Sequence, residues 1–176
     1  MNLTSNRTPA FLLGLTALQL ASTRVQEACK GNDIDAAAVE AHFGLHAVYD
    51  LHEIFFHTRA ERKVWEQDEV YAELRGEVVG GLVLARGAQT HKLITLSTTG
   101  GFGDEPFGMG PFGGGWLWGD HSWLERDFAQ RGSWYETKVQ WRYLWVPLDE
   151  AWVWFAQQFG ELEPFSYQDP ESRPQP

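Results

Sequence analysis

His42-Phe43-Gly44-Leu45-His46-Ala47-Val48-Tyr49-Asp50-Leu51-His52-Glu53-Ile54-Phe55-Phe56-His57 is the stretch on which the fold turns. At the helical step of about 100° per residue, Phe43, Ala47, Val48, Leu51, Ile54 and Phe55 gather on one side, and His42, His46, Asp50, Glu53 and His57 share an arc of roughly 80° on the other. The spacing predicts an amphipathic helix that starts near Asp33 or Asp35 and runs through Phe56. Upstream, Thr8 and Pro9 read as the cap and first position of an earlier helix that ends at about Lys30, where Gly31 and Asn32 interrupt it. Downstream, the charged stretch Thr58 to Asp68 reads as a surface connection or a solvated continuation of the helix. Val70, Leu74, Val78, Leu82, Ala85 and Leu93 then recur at three- and four-residue steps, predicting a third long helix to about Leu96. Gly76, Gly80 and Gly81 each cost such a helix about 1 kcal/mol relative to alanine, so a strand pair from Val78 to Leu96 is the competing reading.

Composition agrees with a packed helical domain. The chain has 176 residues, of which 43% are hydrophobic and 14% aromatic, enough apolar surface for one core. Its net charge of -10 excludes coating nucleic acid or anionic lipid through bulk charge, so any contact with phosphate must be local. No apolar run approaches the roughly 20 residues that span a bilayer, and no membrane association is expected. Arg7 ahead of Ala10 to Leu20 has the outline of a secretory leader, but the helical pattern continues through Ala21, Val25 and Ala28, and Cys29 is the sole cysteine. A cytoplasmic location is the expectation.

From Ser97 to about Asp120 the chain changes character, carrying half of the 18 glycines and the near-repeat Phe102-Gly103-Asp104-Glu105-Pro106, Phe107-Gly108-Met109-Gly110-Pro111, Phe112-Gly113. An irregular connection of this length is usually a functional lid or loop. Its Phe and Trp residues would be stranded in solvent unless it folds back on the helices, so residues 97–121 are expected to do so. Ser122 to Gln130 and Tyr135 to Leu144 look helical, and Pro147 opens a last short helix with Leu148, Ala151, Trp152 and Phe155. The expected architecture is therefore mainly α: a single helical-bundle domain over residues 1–160 with a Gly- and aromatic-rich insertion and short C-terminal helices. The acidic, proline-rich residues 161–176 read as a disordered tail.

The motif that bears most on function is Arg86-Gly87-Ala88-Gln89-Thr90-His91. It resembles the Arg-x4-6-His signature of HEPN domains, all-helical modules of prokaryotic ribonucleases in toxin and antiviral systems, and the amphipathic helices before it fit that setting. In the family a polar residue commonly follows the arginine; here Gly87 does. The resemblance covers about the first hundred residues. It implies a metal-independent endoribonuclease that uses no cofactor, acts on RNA as a homodimer, and travels with an antitoxin or another protein partner. Arg86 would stabilise charge on the phosphate and His91 would move a proton, which are the group types such cleavage needs. Five residues apart on a helix, the two side chains diverge by ~140°, so pairing two motifs across a dimer is what the resemblance implies. Lys92 adds local positive charge, and Glu53 and His57 are candidates to face the motif and help bind substrate.

Two other readings stand beside this one. Arg86 can be an ordinary ion-pair partner of Glu73 or Glu77, with the chain a non-catalytic helical protein that binds a protein partner through its aromatic segment. Alternatively, His42 and His46, four apart, with Asp50, Glu53 and His57 along the same face, offer nitrogen and oxygen ligands to a metal in the bundle, although a solvated face explains the same pattern. The Gly-rich segment lacks a Gly-Lys-Ser or Gly-Lys-Thr, and no lysine lies between Lys92 and Lys138, which argues against a nucleotide phosphate loop. Trp116, Trp118 and Trp123 can either stack on bases or pack in the core.

Overall fold

The computed structural model describes residues 8–59, 63–89, 97–98, 116–120 and 128–160, and 82% of the described residues are helical. Helices α1 (Thr8–Lys30) and α2 (Ile34–Arg59) form a hairpin that is the largest packing unit of the molecule. The turn between them is written locally. Asn32 takes a left-handed φ of 55°, a conformation asparagine tolerates, while the amide of Asp33 donates to the Ala28 carbonyl at 2.9 Å and closes the end of α1. Asp33 then caps α2, its Oδ1 accepting from the Ala36 amide at 3.0 Å.

The third long helix expected to reach Leu96 is instead two helices, α3 (Val64–Glu73) and α4 (Glu77–Gln89), broken at Leu74-Arg75-Gly76. Arg75 adopts a φ of 56°, the Gly76 amide returns to the Tyr71 carbonyl at 2.7 Å, and the Leu74 carbonyl accepts the Trp154 indole N–H at 2.9 Å. A Cβ on Gly76 would lie 2.8 Å from the Trp154 ring, so the glycine that weakens the helix is the place where a later indole docks. Helix α4 excludes the strand alternative as far as Gln89; the expected continuation through 90–96 lies outside the described residues.

Ser97–Thr98 (β1) pairs antiparallel with Trp116–Leu117 (β2), so the two ends of the Gly-rich segment meet. Residues 99–115 lie outside the described residues, as do 121–127 and the tail 161–176. The return of the segment to the core is firm at Trp118, which is fully buried and donates its indole N–H to the Leu144 carbonyl at 3.1 Å, and at Gly119, whose carbonyl accepts the Tyr135 hydroxyl at 2.9 Å. The C-terminal helices differ from expectation. In place of a break between Gln130 and Tyr135, α5 (Ala129–Lys138) crosses it, and 139–144 form turns and a bridge to Leu117. The cause is tertiary: Gly81 lets the α5 backbone approach so closely that a Cβ there would lie 3.1 Å from the Cα of Tyr135.

Helix α6 (Trp145–Gln158), with Pro147 in its first turn, closes the bundle against α1. Phe159 stacks on Phe11, and Phe55 and Tyr71 pack their rings on Trp154. Each such buried side chain contributes about 1.5–3 kcal/mol, and the core they form joins the six helices of the described residues. No helix among the described residues is long and apolar enough to cross a membrane.

Candidate functional site

Arg86 sits in the last turn of α4, just past the buried Ala85, and leans across to α2. Its guanidinium carbon lies 4.2 Å from the centroid of the Tyr49 ring, a cation–π contact that holds the charge in a half-buried position. Its Nε is buried with no hydrogen-bond partner among the described residues, and no described carboxylate forms an ion pair with it; the Glu73 and Glu77 pairings are absent. The guanidinium therefore looks onto the polar stripe of α2 with donor capacity to spare. His91 and Lys92, the other two charged members expected of this site, lie outside the described residues.

The stripe itself divides. His42 and His46 are adjacent, ring centroids 4.5 Å apart, and the His46 imidazole is held below its ordinary pKa by partial burial, then by His42 and by Arg86, with Asp50 opposing. Glu53 hydrogen-bonds Tyr49, whose hydroxyl is pushed up by burial first and then by that carboxylate. Glu53 thus reaches the Arg86 site through Tyr49, whereas His57 is exposed near the C-terminal end of α2, about two turns beyond Tyr49. Among the described residues no group of three or more His, Cys, Asp or Glu is placed to hold a metal, so the geometry does not gather His42, His46, Asp50, Glu53 and His57 into a metal centre. Phe43, expected on the apolar face, is 56% exposed, because the core side of α2 is centred on Leu45, Val48, His52 and Phe55.

His52 is the residue that spacing did not single out. It is buried, its Nδ1 is 2.5 Å from the Tyr71 hydroxyl, and its Nε2 lies 3.7 Å from Glu53 Oε1. Burial, and then the charge of Arg131, push its pKa down to about 3, so it is neutral at pH 7. Tyr71 is wholly buried and its hydroxyl is driven well above the usual range by that burial. Beneath this pair, Arg131 of α5 donates from Nε to Asp68 Oδ1 of α3 at 2.6 Å and from Nη2 to Gln67 at 3.0 Å. The signal available in the sequence was the row Val48, His52, Phe56, which places the imidazole between two core positions, each four residues away. The buried pairs His52–Tyr71 and Asp68–Arg131 tie α2, α3 and α5 together, and Glu53 carries the network out to the surface beside Tyr49. Of the Gly-rich segment, Trp118 is core and Trp116 packs against it; Trp123 lies outside the described residues.

These features define a mainly helical protein with an arginine presented at a helix end over an aromatic ring. Compared with known proteins, the chain matches no family model, no curated protein and no solved structure.

Proposed function

We propose that the chain is a HEPN-like protein acting on RNA as a metal-independent endoribonuclease of a toxin or antiviral defence system. Arg86 is the phosphate ligand in this reading, His91 the proton-transfer group, and Lys92 a further cation at the substrate. The observation that carries it is Arg86 itself, held by the Tyr49 ring, with no hydrogen-bond partner for its Nε and no carboxylate neutralising it among the described residues. A guanidinium so placed offers its planar fork to a phosphate oxygen, and its partial burial strengthens the attraction relative to bulk water. Glu53 orients Tyr49, and Tyr49 orients Arg86. Two protomers pair their motifs so that Arg and His converge on one scissile phosphate, and an antitoxin or companion protein restrains the activity.

The test is cleavage of single-stranded RNA by the purified chain in the presence of a chelator. Cleavage is expected, and Arg86→Ala or His91→Ala should each reduce it by at least about 100-fold with the thermal unfolding curve unchanged. Cleavage that survives in the double variant, or a wild-type chain that neither cuts nor binds RNA, would refute the reading.

A further inference from the structure

Helix α1 carries two apolar stripes. One, formed by Phe11, Leu15, Leu18 and Val25, faces the core. The other faces solvent: Ala10, Leu13, Ala17 and Leu20 recur at three- and four-residue steps, Leu13 is 71% exposed and Leu20 46%, and no charged residue occurs from Thr8 to Thr23. A helix that is apolar on two sides is ordinarily covered on both. The outer stripe, together with Phe43 and Ala47 of α2, lines an open groove of about 780 Å³ along the α1–α2 hairpin.

We propose that this groove is a self-association surface, filled by α1 of a second copy lying antiparallel across a two-fold axis near Ala17. Three observations select a second copy. First, the groove needs an occupant with a small, uncharged helical stripe, and α1 supplies one of the same length, about 21 Å from Ala10 to Arg24 at 1.5 Å per residue. Second, the floor is lined by Ala10, Gly14, Ala17, Ala21 and Ala47, which lets another helix approach closely. Third, the charges at the two ends are complementary under that symmetry. Gly14 packs on Leu51 and Arg24 lies 3.7 Å from Glu40, so the hairpin runs antiparallel, with Asp50 and Glu53 at the Ala10 end and, at the other, Arg24 beside the less exposed Glu40 of its own chain. The two-fold axis carries each exposed Arg24 over the partner's exposed Asp50 and Glu53, and the isologous pairing repeats the contact twice. The groove is argued independently of the RNA reading, and the test reads mass rather than cleavage, so an inactive dimer and an active monomer are told apart.

Sedimentation equilibrium of the full chain should give twice the 20.0 kDa of one copy at micromolar concentration. Ala17→Glu, which buries two like charges at the axis, should weaken the dimer at least about 100-fold. Arg24→Glu should weaken it about 10-fold, with Asp50→Arg in the same chain restoring it. Both positions are exposed, so circular dichroism should be unchanged; should Ala17→Glu fail that control, Leu20→Lys replaces it. A single-chain mass at every concentration overturns the proposal, and if that monomer binds a synthetic cationic amphipathic helix the groove belongs to a foreign partner. A dimer indifferent to both Ala17→Glu and Arg24→Glu overturns it equally.

Discussion

Removing one member of the Asp68–Arg131 pair should cost far more than removing both. The two side chains are 8% and 6% exposed, and Arg131 Nε meets Asp68 Oδ1 at 2.6 Å, so each charge has exchanged water for the other. Desolvation is the larger effect on Asp68: its carboxyl lies above the usual value because burial outweighs the opposing hydrogen bond and charge of Arg131. Arg131→Met therefore leaves a buried carboxylate without its counter-charge, and Asp68→Leu leaves a buried guanidinium with only Gln67. Each single change is expected to cost about 3–5 kcal/mol at pH 7. The double replacement removes both desolvation penalties along with the attraction and should fall within about 2 kcal/mol of the parent chain, a coupling of several kcal/mol. Urea unfolding followed by tryptophan fluorescence and by circular dichroism measures all four chains. The sign with pH follows from the raised folded pKa: the contribution of Asp68 is fully present below its unfolded pKa and is lost as pH rises through the folded one, more steeply in Arg131→Met. Single costs that simply add in the double variant would refute the account, since they would mean that the two charges do not compensate each other.

His52 predicts an opposite slope: with its pKa lowered to about 3, its contribution is complete above pH 6.5 and declines as pH falls toward 3, a loss of about 3 kcal/mol by pH 4 that His52→Leu should abolish in pH-dependent melting. Tyr71→Phe should cost about 1–3 kcal/mol in urea, because the His52 Nδ1 loses its partner in a buried site; a neutral result would show that water replaces it. Two glycines of α4 should respond in opposite directions. Gly80→Ala sets a Cβ 2.5 Å from the Trp134 ring and should destabilise by about 1–3 kcal/mol, whereas a Cβ on Gly87 meets no atom within 4 Å, so Gly87→Ala should stabilise by up to about 1 kcal/mol in the same unfolding assay.

The sequence by itself determined the mainly helical class, the extents of α1 and α2 to within a few residues, the start of α6 and the polar stripe on α2. Local rules govern all of these: apolar spacing at 3.6 residues, Asp33 at a cap, Gly31-Asn32 at a stop, Pro147 in a first turn. It also marked Arg86 as the residue to watch. The tertiary structure decided what depends on distant partners. Arg86 is free of Glu73 and Glu77 because α4 packs on α2, where the Tyr49 ring receives it. His52 became core and Phe43 surface because the side of α2 covered by α4 and α6 is rotated from the side that hydrophobicity alone suggests. The break at Arg75-Gly76 and the course of α5 across Gln130 to Tyr135 follow from Trp154 and from the close approach at Gly81. Periodicity reports how apolar a face is; which neighbour covers that face is set by long-range packing, and here that packing selected the buried histidine, the arginine held on the Tyr49 ring and the exposed stripe of α1.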